Sequence, residues 1–237
     1  LNRRDLFLKE MGITQWVERE DAGESALESA LESAQAPQER RTHIAGLEWS
    51  ELEAEALQCT ACGLSAERKQ VVFGTGVREG GWVLVGEAPG AEEDARGQPF
   101  VGQAGKLLDN MLAAVRLSRE EQVYIVNVLK CRPPANRDPQ PAEVVACEPW
   151  LLRQLELLQP RIVVLLGRFA AQSLLATDAS ISKLRGQVHH MRVAGRNVPV
   201  IVTYHPAYLL RNLPDKAKAW EDWNLALDAF SEAHALQ

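Results

Sequence analysis

The chain has 237 residues, 24% of them charged and 46% hydrophobic, which fits a soluble globular core. Its longest apolar run, Ile162–Leu166, is far below the ~18 residues of a membrane helix, and no signal peptide is read at the start. The net charge of −6 is uneven: residues 1–58 carry 6 Lys and Arg against 13 Asp and Glu, the rest 20 against 19. The acidity belongs to the first segment, and the body is left free to present a local basic face.

In chain order, residues 1–20 read as an amphipathic arm with Leu6, Phe7, Met11, Ile13, Trp16 and Val17 as its apolar members. Residues 21–46, with a Glu-Ser-Ala-Leu repeat from Glu24, hold too few large apolar groups to offset chain entropy, and are expected to be a flexible acidic linker. The folded body is expected from Leu47. Apolar runs place strands at Trp82–Gly86, Tyr124 to Leu129 and Ile162 to Gly167, and helices at Ala104 to Val115, Ala142 to Leu158 and Arg168 to Leu175. Val188–Val193 and Val198 to Thr203 flank Gly195 as a hairpin, and a last helix runs from about Pro214 to Ala235. This alternation predicts a three-layer α/β/α fold with a central, mostly parallel four-stranded sheet, and places ligands where its strands end.

Three polar motifs come directly after such strands. Gly86-Glu87-Ala88-Pro89-Gly90 makes a tight turn, with Glu93 close behind and Phe100 in the next loop. A loop phenylalanine reads as core packing or as a base-stacking face. The second motif runs from Asn127 to Arg137, through Lys130, Arg132, Pro133, Pro134 and Asn136. Asn127 reads as a loop cap or as an amide that reads a base edge, and the basic residues as phosphate contacts. The third is His205-Pro206-Ala207-Tyr208-Leu209-Leu210-Arg211, where the histidine reads as structural or catalytic and the Leu-Leu-Arg tip as a duplex wedge. Cys59, Cys62, Cys131 and Cys147 read as metal ligands rather than disulfides; spacing alone leaves zinc or an iron–sulfur cluster open.

Together these motifs resemble the family 4 (iron–sulfur) uracil-DNA glycosylases, over roughly residues 59–230. The resemblance implies a DNA N-glycosylase that hydrolyses the glycosidic bond of flipped-out deoxyuridine in base excision repair. It makes Phe100 the stacking aromatic, Asn127 the uracil-reading amide and His205 the donor at uracil O2, with Glu87 and Ala88 lining the base site. The family has no aspartate at the Ala88 position, so Glu93, ahead of Glu87, is expected to activate water with help from Asn136. Arg132, Arg137, Leu210 and Arg211 are expected on the DNA, and the four cysteines on a structural [4Fe–4S] cluster, with zinc as the alternative. No covalent adduct is expected, because the histidine-bearing insert of a related branch is missing.

Arg3 to Trp16 resembles the N-terminal arm of the psi subunit of the DNA polymerase III clamp loader, most clearly at Met11-Gly12-Ile13-Thr14-Gln15-Trp16. That implies docking through Ile13 and Trp16, against fold-back onto the body. The second functional reading is therefore a non-catalytic clamp-loader subunit built on a glycosylase fold. The expected setting is cytoplasmic, and the expected state is a monomer off the membrane.

Overall fold

The computed structural model describes residues 38–235; the arm, with Ile13 and Trp16, lies outside them. Residues 38–45 are helical, so the expected linker ends earlier than 46. The reason is apolar anchoring: Ile44 is 1% exposed and Leu47 is buried, both in the main core, and Arg153 Nε donates to the Leu47 carbonyl at 2.9 Å.

The elements of the body are α1 (Trp49–Leu57), β1 (Thr75–Gly76), β2 (Trp82–Gly86), α2 (Ala91–Arg96), α3 (Gln103–Ala114), β3 (Val123–Asn127) and α4 (Pro141–Leu158). They continue as β4 (Ile162–Leu166), α5 (Arg168–Leu174), α6 (Ile181–Leu184), β5 (Val188–Val193), β6 (Arg196–Thr203), α7 (Pro206–Leu209) and α8 (Lys216–Ala235). The sheet order is β1-β3-β2-β4-β6-β5. The four expected parallel strands form its centre: β2 pairs in parallel with β3 and β4, and β4 with β6. The sheet is nevertheless six-stranded, because β1 pairs antiparallel with β3, and β5 with β6. β1 is only two residues long, too short to leave a periodic signal.

The central strands are buried on both faces, which is why they read as unbroken apolar runs. Val83, Val85, Val126, Val163 and Leu165 face one layer, with Leu52 of α1 and Trp150, Leu151 and Leu155 of α4. Trp82, Leu84, Ile125, Ile162 and Val164 face the other, against Leu108 and Leu112 of α3 and Trp223 of α8. Each such side chain contributes roughly 1.5–3 kcal/mol by leaving water. The chain order reverses at β2, since β3 lies on one side and β4 on the other, so a crevice opens where these strands end. Among the described residues no helix is long and apolar enough to cross a membrane.

Candidate active site

The crevice is a cleft of ≈ 740 Å³. Each central strand delivers to it: Glu87 comes after β2, Asn127 ends β3, Gly167 comes after β4, and Tyr204 and His205 come after β6. Ala88, Phe100, Asn136 and Arg211 complete the set that the sequence brings here. The rings of Phe100 and His205 stand 5.4 Å apart between centroids, tilted by 31°.

Asn127 is 2% exposed, and its Oδ1 has no hydrogen-bond partner within the protein. A buried acceptor left open costs ~1–3 kcal/mol, so a donor from a ligand has a place to go. Its main chain is held by the buried Lys130, whose Nζ donates to the Asn127 carbonyl at 2.8 Å. Lys130 is therefore not a phosphate contact. Gly86, paired with Asn127 across the sheet, has to be glycine: a Cβ there would sit 2.3 Å from Asn127 Oδ1 and 2.8 Å from the Phe100 ring.

His205 has its Nδ1 fixed as an acceptor, because the Ala207 N–H donates to it at 3.1 Å. In the neutral ring the proton then sits on Nε2. Burial pushes the His205 pKa down to about 4, against the pull of the Glu93 charge and with the push of Arg211. The imidazole is thus a neutral donor throughout the physiological range.

The two glutamates of the cleft stand in different surroundings. Glu93 Oε2 accepts from the Gly90 N–H at 3.1 Å, and Oε1 from the N–H groups of Val101 and Gly102 at 3.0 and 3.1 Å. Both oxygens staple the start of α2 to the loop carrying Phe100, as the third residue of a capping box does. These three N–H groups take three of the roughly four acceptor positions of the carboxylate. Gly90 serves the same staple, since a Cβ there would meet Glu93 Oε2 at 2.7 Å. Glu87 has no such partners. Burial, and then the Asp138 charge, raise its pKa from the usual carboxylate range to about 7, with Arg168 opposing. A carboxylate poised near neutrality suits general base work.

Asn136 lies in the strained part of the site. Ala135 and Asn136 have φ of 53° and 54°, and Phe100 has φ 53°. Left-handed backbone in a residue other than glycine costs ~1–3 kcal/mol and gathers at functional sites. Asn136 Oδ1 accepts from Arg132 Nε at 2.7 Å.

A model of the "Uracil DNA glycosylase superfamily" matches residues 73–224, which carry all of this cleft. The chain belongs to that superfamily. Its relatives include three proteins named type-4 uracil-DNA glycosylase. The Archaeoglobus fulgidus protein is 49% identical over 66% of this chain and 80% of its own length. The figures for Saccharolobus solfataricus are 40%, 75% and 84%, and for Thermotoga maritima 47%, 65% and 79%. These place it with type 4, the DNA N-glycosylases that excise uracil.

In this glycosylase the expected DNA contacts divide. Arg211 is exposed at the mouth of the cleft, and Leu210 is 42% exposed. Leu209 is fully buried, so only one leucine of the pair can reach a duplex. Arg132 and Arg137 have partners within the protein. Arg132 holds Asn136, and Arg137 grips Glu143 with both terminal nitrogens, at 2.9 and 2.5 Å. Glu143 in turn accepts from the Gln140 N–H at 2.9 Å, and its pKa is lowered by the Arg137 hydrogen bond. Both arginines thus brace the Asn136 loop from within. Sequence reading missed Tyr208 and Asp215: the phenol donates to Asp215 Oδ2 at 2.6 Å, and its ring stacks on Tyr204 at 4.9 Å, bracing the turn behind His205.

The glycosylase's four cysteines line one second pocket with Arg68, Lys130 and Trp150. Two sulfurs accept hydrogen bonds: Arg68 Nη1 donates to Cys131 Sγ and the Lys130 N–H to Cys147 Sγ, both at 3.3 Å. Donors aimed at sulfur fit thiolates. Among the described residues, no three His, Cys, Asp or Glu side chains are placed to hold a single metal ion.

Proposed function

We propose that the cleft holds a uracil swung out of DNA and hydrolyses its bond to C1′. The observation that carries this reading is the open Oδ1 of buried Asn127, in a cleft that Phe100 and His205 also line at the ends of the parallel strands. An amide offers acceptor and donor side by side, matching N3–H and O4 of uracil; cytosine presents the two in reverse. The Phe100 face stacks the base. As the N1–C1′ bond breaks heterolytically, the electron pair goes to uracil, and the Nε2–H of His205 donates to the oxygen where that charge collects. Glu87 accepts a proton from water as its oxygen adds to C1′, with Asn136 positioning that water; the proton ends on the released uracil.

The test is release of uracil from an oligonucleotide, read as strand scission in alkali. Wild type cleaves, and Asn127→Ala loses about 10–100-fold in kcat/KM, the worth of one bidentate base contact of ~1–3 kcal/mol. A wild-type protein that leaves uracil strands intact would sink the reading.

We further propose that Cys59, Cys62, Cys131 and Cys147 hold a [4Fe–4S] cluster. It would supply a covalent tie between the segment after α1, the loop after β3 and helix α4, while the hydrolysis itself needs no electron. The shared pocket and the N–H donors to sulfur support it. The pure protein is expected to be brown, to absorb near about 400 nm and to carry iron. Cys147→Ser is expected to lose that band and melt at least about 5 °C lower, because 1 kcal/mol moves a domain of this size by ~2–4 °C. Zinc in place of iron would refute the assignment.

A further inference from the structure

The mechanism uses the face of Phe100 and leaves open what fixes that face. The residue is 6% exposed and holds a left-handed backbone, φ 53°, that phenylalanine does not choose unaided. Its carbonyl lies close on α3, where a Cβ on Gly105 would stand 1.8 Å from Phe100 O. On one side of the loop Glu93 holds the amides of Val101 and Gly102. On the other stands Arg119, in the turn between α3 and β3. Its Nη1 donates to Pro99 O at 3.3 Å and its Nη2 to Phe100 O at 3.2 Å. Its Nε donates to Asp109 Oδ1 on α3 at 2.9 Å. The Arg119 side chain is 16% exposed, and none of the three motifs contains it.

We propose that Arg119 is a positioning residue for base stacking: its fork, aimed by Asp109, locks the Pro99 and Phe100 carbonyls and so sets the place of the ring in the uracil slot. A planar guanidinium is the group that can hold two carbonyls and a carboxylate at once; an ammonium spreads its donors differently. The inference rests on the stacking role given to Phe100 above.

A double-mutant cycle tests it, with uracil excision and inhibition by free uracil as readouts. In the wild-type background Arg119→Met is expected to lose about tenfold in kcat/KM, mainly through KM, and to weaken free-uracil inhibition alike, as a displaced contact does. In the Phe100→Ala background the same change is expected to cost under about twofold, since there is no ring left to place. Arg119→Lys is expected to recover only part of the loss. Equal losses in both backgrounds, or no loss in either, would overturn the proposal. Should Arg119→Met fail to melt cooperatively, the same cycle is run with Asp109→Asn, whose site is half exposed. There a smaller loss that disappears without the ring supports the proposal, and an additive one overturns it. The two readings fail differently. A wild type that releases no uracil, or a Phe100→Ala variant as active as wild type, strikes the function proposed above. An active wild type with an additive cycle strikes only Arg119.

Discussion

Glu87→Gln is expected to lower kcat for uracil release by about 10²–10⁴-fold, the usual worth of a positioned general base. The sign of its pH dependence comes from its environment. Burial and the Asp138 charge hold the Glu87 pKa at about 7. A base acts only when ionised, so wild-type kcat should rise as pH passes upward through about 7 and level off above it. His205, held at about 4, stays neutral over that span and adds no limb of its own. The amide of Glu87→Gln cannot titrate, so its residual activity should be flat from about pH 6 to about pH 8. Rates measured under single-turnover conditions decide the matter. A wild-type profile without the limb, or a variant that keeps it, would remove Glu87 from the proton path. Glu93→Gln provides the contrast. It keeps one acceptor for the backbone staple, so its loss should come with a lower melting temperature and leave the limb in place.

His205→Ala is expected to lose about 10²–10³-fold in kcat, what removal of one donor to a developing anion costs elsewhere. The substitution deletes the Nε2–H donor and also leaves the Ala207 N–H without its acceptor at the start of α7. Some destabilisation is therefore built in, and His205→Asn separates the effects, because its side chain can still cap that amide. The asparagine variant should regain melting temperature without regaining full rate. Recovery of both together would mean that the histidine serves the turn and not the leaving base.

Much of this was legible in the sequence because parallel strands, buried on both sides, write themselves as continuous apolar runs, and the residues just past each run land in one cleft. Glu87, Asn127 and His205 were found that way. The backbone staple of Glu93 was not foreseen, because closeness in sequence does not say which way a carboxylate turns. The signal existed: Gly90 and Glu93 stand at capping-box spacing at the head of a helix. The internal partners of Arg132 and Arg137, Asn136 and Glu143, were not foreseen, because a basic residue in a loop carries no mark of them. Arg119 left no trace at all. Its partners are 10, 19 and 20 residues away in sequence, and only the return of the chain from α3 to β3 brings them within reach.

Drawing the groups of the cleft from the ends of separate strands also bears on when they meet during synthesis. Glu87 and Asn127 emerge early during synthesis, but the imidazole arrives only once β6 has slotted beside β4. A half-made polypeptide on the ribosome, or one cut by a protease before that strand, carries the base-reading amide without the group that stabilises departure. Full rate is thus expected only from a chain whose last central strand is in place.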